Sequence, residues 1–542
     1  MPNSSASRCA RKSARNATPT RSRLFASSLP AKAEVGTERR YLLEGEDRAR
    51  AALAQGRHAL VWRRTIADTE TPVGAACKLF EAERGDFLLE SVEGGEVRGR
   101  YSLIGLDPDL VFRAQGDTSK INRRWQTDRE NFEECAGDGV TALRELVEAC
   151  RIDVPEGLPP ALSCLVGYFA YETVGLVENL PRAPENPLGL PDMLFVRPTV
   201  ILVFDRLSEE LYCIAPVWAD VSRDLESALE LAAERIDNVQ RRMQASVVPE
   251  NAGSHAGELA LEPQMPPGRY REMVLAAKEY IAAGDIFQVV LAQRFTCPFD
   301  LPPLSLYRAL RRVNPSPFLY FLDLPGFAIV GSSPEILVRV RDNEVTIRPI
   351  AGTRPRGADP KADREAEISL LDDPKECAEH LMLLDLGRND VGRVAEKGTV
   401  EVTDSFTVER YSHVMHIVSN VVGRLAGDRD ALDAMFAGFP AGTVSGAPKI
   451  RACEIIAELE PETRGAYAGG VGYFAPDGSL DSCIVLRTGV VKDGVLHVQA
   501  GAGIVADSNP EYEQRECEAK AGALIAAARE AVRVSNETGY AQ

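Results

Sequence analysis

A chain of 542 residues, 45% hydrophobic and 26% charged, is long enough to bury a large core and has the balance of a globular protein. Its net charge of −18 argues against nucleic acid as a main partner, because phosphate binding needs clustered Lys and Arg, and no apolar run approaches the ~20 residues that span a bilayer. The 11 cysteines show no CxxC and no pairing rhythm, which reads as free thiols in a reducing compartment, and the six histidines form no zinc-like cluster.

Residues 1–33 contain no Asp or Glu and are rich in Arg, Ser and Ala. This composition reads as a disordered extension, an upstream start codon or an organelle transit peptide, and the missing apolar core argues against a secretory signal. We set 1–40 apart as this extension. An N-terminal region, 41–243, mixes short alternating runs with helical stretches. Residues 116–137 are polar and predict a surface loop. Residues 194–196 and 199–204 are apolar and β-branched and predict strands. Leu225–Met243 has the apolar stripe of an amphipathic helix. Residues 244–268 carry Pro, Gly, Asn and Ser without periodicity, and predict an interdomain linker.

The C-terminal region, 269–530, opens with a helix pattern over 270–283 closed by Gly284. Strands are predicted at 287–291, 327–331, 336–340, 345–347, 470–474, 482–486 and 496–499, and long helices at 374–394 and 510–534. Residues 531–542 form a tail. Strands occur in adjacent groups, not in strict alternation with helices. The predicted class is therefore α+β, with antiparallel sheets in a sandwich-like core and helices packed outside. No internal repeat is present.

Several clusters point to chemistry. Arg348-Pro349-Ile350-Ala351-Gly352-Thr353-Arg354-Pro355-Arg356-Gly357 places three guanidinium groups around a Gly-Thr turn. Glu376 and Glu379, and again Glu513 and Glu516, stand three apart, on one face of their predicted helices. Asp373-Pro374 and Asn509-Pro510 are good starts for those helices. Two such faces can converge on Mg²⁺, which takes hard oxygen ligands, or can simply be solvated surface. Gly352-Thr353, Gly442-Thr443, Gly469-Gly470 and Gly501-Ala502-Gly503 mark expected strand ends whose backbone N–H groups can approach an anion. Gly501 to Ala506 formally fits a dinucleotide-binding GxGxxA. Ile504-Val505 continues a strand instead of opening a helix, and too little chain follows for a Rossmann domain. Arg487, after an apolar run, suits either a carboxylate grip or a structural ion pair. His416 alternates with apolar neighbours, as a hydrogen-bonded core histidine does.

Taken together, these segments resemble the chorismate-binding enzymes, and within them the large, aminating subunit of anthranilate synthase. The resemblance rests on Gly331-Ser332-Ser333-Pro334-Glu335, Pro349 to Pro355, Glu379-His380-Leu381-Met382-Leu383 and Asp385-Leu386-Gly387-Arg388-Asn389-Asp390. It continues through Val414-Met415-His416, Gly442-Thr443-Val444-Ser445-Gly446-Ala447-Pro448-Lys449 and Gln499 to Gly503. It is dense from Arg269 to Ala528 and thinner from Leu42 to Phe204.

The resemblance implies a set of roles. Glu379 and Glu516 would bind Mg²⁺, supported by Glu376 and Glu513, and the metal would hold the ring carboxylate of chorismate. Arg487 and Tyr467 would hold the enolpyruvyl carboxylate. Gly352, Thr353, Thr443, Gly501, Ala502 and Gly503 would contact substrate. Glu335 would be the general acid for the departing hydroxyl, with His416 and Thr443 beside the reacting ring. Relatives that make aminodeoxychorismate carry a nucleophilic Lys where this chain has Ala351, and relatives that add water carry a basic Lys where it has Gln288. Both differences imply direct attack by ammonia, giving anthranilate and pyruvate. An aminodeoxychorismate synthase component and a catalytically silent regulatory subunit are the alternatives.

Leu88-Leu89-Glu90-Ser91 and Asn314-Pro315-Ser316-Pro317-Phe318-Leu319 resemble the segments through which this family binds tryptophan as feedback inhibitor. They imply an effector site at Ser91, Pro317, Phe318 and Leu319. Relatives often have Tyr and Met at 318 and 319, which bears on feedback strength. The resemblance further implies a separate glutamine amidotransferase subunit that supplies ammonia, in a heterodimer or heterotetramer. The expected location is a bacterial cytoplasm, or a plastid if the extension is a transit peptide.

Overall fold

The computed structural model describes residues 43–93, 97–181, 186–219, 224–247, 259–411 and 414–536. The extension at 1–40 lies outside them, as do half of the tail and part of the stretch 244–268. The described residues from Leu43 onward form one compact unit.

Two twelve-stranded sheets make up its centre, and every ladder in them is antiparallel. Both sheets take strands from either side of 244–268. In the first, Phe87–Glu93 pairs with Phe318–Leu324, setting Leu88 against Phe321. In the second, Leu165–Phe169 pairs with Gly470–Phe474. The N- and C-terminal regions therefore share one core.

The alternation of strand side chains explains the layers. Phe87, Tyr320, Leu322, Ile329 and Val490 of the first sheet point inward and meet Val166, Tyr168, Leu194 and Val471 of the second. Leu88, Ile104, Leu202 and Phe321 point outward, under the helices Pro72–Leu79, Leu225–Met243, Pro303–Val313 and Pro510–Asn536. The expected sandwich with helices outside is what forms. No helix among the described residues is long and apolar enough to cross a membrane.

Helix ends follow their sequence signals. Leu225–Met243 starts at Asp224, whose side chain accepts from Ser227 N. Arg269–Ala283 ends at Gly284, which takes the left-handed conformation. Pro374–Gly392 starts at Asp373, which accepts from the N–H groups of Lys375 and Glu376.

Some expectations need correction. Residues 116–137 are not one loop: Thr118–Asn122 pairs with Leu110–Gln115, and Ile121 and Trp125 are buried and anchor the segment. At the C-terminal end of 244–268, Leu259 is buried and Glu262–Pro263 pairs with Phe295 and Thr296, so that end is part of the core. The strand expected at 287–291 is Gln288–Pro298. Gly501-Ala502-Gly503 is not a turn at a strand end but lies inside the strand Val495–Ile504, paired with Ala292, Leu291 and Val290. The chain then passes through a short loop to the helix that starts at Pro510.

Candidate active site

The edge strand Ile350–Pro355 pairs with Val414–Arg424, with a bulge between Ala351 and Thr353. Gly352 sits in the bulge at φ +71°, a conformation that favours glycine. A Cβ there would come within 3.2 Å of Glu376 Oε2, Ile417 Cδ1 and Leu370 Cδ1. The bulge turns the Gly352 carbonyl toward His416, whose Nδ1 lies 3.0 Å from it and 3.1 Å from Thr353 Oγ1. A carbonyl only accepts, so Nδ1 carries the hydrogen and Nε2 keeps its lone pair. Burial lowers the His416 pKa, and the Arg487 charge lowers it further. The imidazole is therefore neutral at neutral pH.

Glu335 is 5% exposed. Burial pushes its carboxyl up to about 8, against the opposing pull of hydrogen bonds from Thr443 and the Ile350 N–H. Thr443 Oγ1 donates to Glu335 Oε1 at 2.8 Å from the short turn Gly442–Val444. The site thus holds a carboxylic acid that keeps its proton at neutral pH, as a general acid requires. Ile350, which donates to it, is the neighbour of Ala351, so residue 351 borders the acid. The Ala351 methyl carries no nucleophile there.

The two predicted carboxylate faces lie near the same two lysines. Glu379 and Glu513 both feel the charges of Lys375 and Lys520, which lie on different helices. Glu376 is bound by Arg354 Nη1 at 3.0 Å and Glu516 by Lys520 Nζ at 2.7 Å. Among the described residues, Glu379 and Glu513 have no cation within ion-pair distance. Burial raises both carboxyls, and the like charges of Glu376 and Glu516 raise them further. Gln288 Nε2 lies 3.4 Å from Glu379 Oε1. No three His, Cys, Asp or Glu side chains among the described residues gather into a ligand cluster. The donors are hard carboxylate oxygens, two without a protein cation, which fits an ion such as Mg²⁺ that binds through one or two carboxylates and keeps its waters.

Arg487 follows the strand Leu480–Ile484, at φ +47°. A non-glycine residue held left-handed stores strain that surrounding structure must maintain. Among the described residues no carboxylate pairs with its half-buried guanidinium, and burial lowers its pKa. An unpaired, desolvated guanidinium is a carboxylate receptor. Tyr467 is buried, and a Cβ on Gly501 would lie 2.8 Å from its hydroxyl, which places the phenol on the glycine strand.

The three arginines of 348–357 are all engaged. Arg348 pairs with Glu409, Arg354 with Asp373 and Glu376, and Arg356 with Asp363. They brace the strand, and Arg487 supplies the open guanidinium. Sequence reasoning also missed Tyr411 and Lys520. The Tyr411 ring stands edge-on to His416 at 5.5 Å, and its hydroxyl donates to Glu409. Lys520 bridges Glu516 and the Gly501 carbonyl at 2.9 Å. Neither carries a local signal, although Lys520 stands one helical turn beyond Glu516.

The segments at 88–91 and 314–319 are adjacent. Leu319 stands opposite Glu90, so Ser91 and Phe318 flank that pair on the two adjacent strands. Gly99 faces Ser91 across a bulge. Glu90 is buried, accepts from Arg311 at 3.0 Å through both oxygens and from the Tyr307 hydroxyl at 2.6 Å. Phe318 also pairs with Ser333, two residues before Glu335.

Residues 86–526 match the chorismate binding enzyme family. The chain is 52% identical over 477 residues to anthranilate synthase component 1 of Cereibacter sphaeroides, covering 88% of this chain and 95% of that one. Against the same component of Thermus thermophilus it is 48% identical over 468 residues, covering 86% and 97%. The crystal structure of anthranilate synthase component I from Streptococcus pneumoniae superposes with a TM-score of 0.69 at 34% identity, over 85% of this chain and 99% of that one. The menaquinone-specific isochorismate synthase of Escherichia coli shares the fold, with a TM-score of 0.66 at 19% identity over 90% of this chain and all of that one. With a family match across most of its length and relatives near 50% identity, this chain belongs to the chorismate-binding enzymes, in the anthranilate synthase component I family.

Proposed function

We propose that this chain converts chorismate and ammonia to anthranilate and pyruvate, as the aminating component of a two-component lyase. The observation that carries the reading is Glu335, a buried acid pushed up to about 8 and held by Thr443 beside Ala351.

Hydroxide is a poor leaving group, so the ring hydroxyl must be protonated as it departs. Glu335 is the proton donor. Arg487 and Tyr467 grip the enolpyruvyl carboxylate. Glu379 and Glu516, supported by Glu376 and Glu513, would hold Mg²⁺, which would neutralise the ring carboxylate without using a proton. Gly501, Ala502 and Gly503 supply backbone groups at the substrate edge, opened by the absence of side chains at 501 and 503. Gly352 and Thr353 orient His416, whose Nε2 lone pair can accept hydrogen bonds from an amine. With Ala at 351 and Gln at 288, the protein offers neither a covalent nucleophile nor a base for water, so ammonia attacks directly. This argues against an aminodeoxychorismate synthase component. The filled acid, arginine and carboxylate positions argue against a silent regulatory subunit.

The names of the relatives imply a second component. A glutamine amidotransferase subunit fits that role, because ammonia is mostly ammonium at neutral pH. Tryptophan is the proposed inhibitor at Ser91, Pro317, Phe318 and Leu319. The bacterial relatives favour a bacterial cytoplasm over a plastid.

The test is to incubate the purified chain with chorismate, Mg²⁺ and an ammonium salt at alkaline pH and follow anthranilate fluorescence. A signal abolished by EDTA supports the reading. Chorismate consumed without fluorescence points to aminodeoxychorismate, and chorismate left intact in the presence of a glutaminase partner refutes it.

A further inference from the structure

Arg464 is almost fully buried with its partner Glu460, their side chains 1% and 3% exposed. Removing such a pair from water is costly, and hydrophobic replacements are often as stable, so stability alone gives little reason for it. Its contacts suggest another role. Arg464 Nε and Nη2 meet the Glu460 carboxylate at 2.9 and 2.6 Å. Nη1 donates to the Val444 carbonyl and Nη2 to the Val290 carbonyl, each at 2.7 Å. Glu460 also accepts from Ala292 N at 2.8 Å. Val444 follows Thr443, which holds Glu335. Val290 and Ala292 are the residues paired with Gly503 and Gly501.

The loop that carries Arg464 is itself tied down. Glu172, from the other half of the sequence, accepts from the N–H groups of Arg464 and Gly465 at 2.7 and 3.0 Å. Tyr467 follows two residues later, with its ring 5.7 Å from the Arg464 guanidinium. One planar fork therefore touches the turn of the acid's partner, the strand behind the glycine run, and the ring of Tyr467.

We propose that Arg464 is a positioning residue: its guanidinium, fixed by Glu460, holds the Thr443–Glu335 pair in register with the Gly501–Gly503 strand. The inference rests on the assignment of Glu335 as acid and Thr443 as its partner. A lysine cannot replace the fork, because a point charge on a flexible stem cannot serve both carbonyls and the carboxylate in one plane. A misplacement near 1 Å costs about a hundredfold in rate.

The test is the pH profile of kcat for Arg464→Lys, Thr443→Val and the double variant, at fixed free ammonia. Thr443→Val removes a hydrogen bond to the charged form of Glu335, so its alkaline limb moves to higher pH. Arg464→Lys should move the limb the same way and lower kcat by about ten- to a hundredfold, with a smaller change in KM. The double variant should show the Thr443→Val limb with no further displacement. Glu460→Gln keeps an acceptor without the charge. It should give the same direction with a smaller displacement, and it carries the test if lysine at 464 prevents folding. A limb that moves in Thr443→Val but not in Arg464→Lys or Glu460→Gln overturns the positioning role. A limb unmoved in Thr443→Val overturns the acid assignment on which that role depends.

Discussion

At the residue scale, the chemistry concentrates on one carboxyl. Among the described residues Glu335 has one hydrogen-bond donor side chain and no ion-pair partner, so burial dominates and its proton is retained to about 8. A carboxyl raised in this way is protonated, and competent as an acid, below that value, and it loses competence as pH rises through it. With free ammonia held constant, kcat should therefore decline along an alkaline limb near 8, and the profile checks this directly. Glu335→Gln keeps the shape without a transferable proton and should lower kcat by ~10²–10⁴-fold while leaving chorismate binding largely intact. A variant that retains near-normal kcat would remove Glu335 from the mechanism. Arg487 allows a complementary expectation. Arg487→Lys leaves charge but no bidentate fork, so KM for chorismate should rise by more than kcat falls, measured from saturation curves.

At the element scale, two helix starts set the first turns that carry the two carboxylate pairs. Asp373-Pro374 and Asn509-Pro510 each set the first turn, so Glu376, Glu379, Glu513 and Glu516 follow at fixed angles. Arg354 pairs with Glu376 and Lys520 with Glu516, while Glu379 and Glu513 have no ion-pair partner among the described residues, so Glu516 would join Glu379 on a metal only by giving up Lys520. Glu379→Ala should abolish turnover and weaken Mg²⁺ binding measured by calorimetry on the free enzyme; unchanged Mg²⁺ affinity would exclude Glu379 as a ligand. Much of this was legible in the sequence, because caps and three-residue spacing are local signals. The helix Leu225–Met243 was readable to its last residue for the same reason. Other elements were not. Glu401–Arg410 carries Val402, Phe406 and Val408 on one face, but Asp404 interrupts that alternation and much of the strand is solvated, so its apolar period is weak. The Gly501 to Gly503 run reads as a turn locally, and only its neighbours at 290–292 make it a strand. Arg464, Tyr411 and Lys520 act through partners remote in sequence or through a bulge, and so leave no motif. The roles of Glu335, Glu379, Arg487 and Glu516 came from resemblance, since spacing alone leaves each of them an ordinary surface or core residue.

At the scale of the whole molecule, the interleaving of the two sequence halves joins a proposed effector site to the acid. The strand Phe87–Glu93 lies beside Phe318–Leu324, and that strand pairs with Phe327–Ser333, whose last residue precedes Glu335 by two. A ligand bound at the proposed site of Ser91 and Phe318 would press on a ladder two strands away from the proposed catalytic carboxyl, within a packed core that transmits displacement. An effector that binds one arrangement better than the other shifts the population by its differential affinity. Ser91 sits at a bulge beside Gly99, close enough that a Cβ on Gly99 would meet the Ser91 side chain, so a larger side chain at 91 would crowd this space. Ser91→Phe should fill the effector space, raise the tryptophan concentration needed for half inhibition by about tenfold or more, and leave kcat without tryptophan close to that of the parent chain. Inhibition curves at fixed chorismate decide it. If tryptophan inhibits Ser91→Phe as it does the parent, the effector site is elsewhere, and the pairing of Phe318 with Ser333 serves the fold alone.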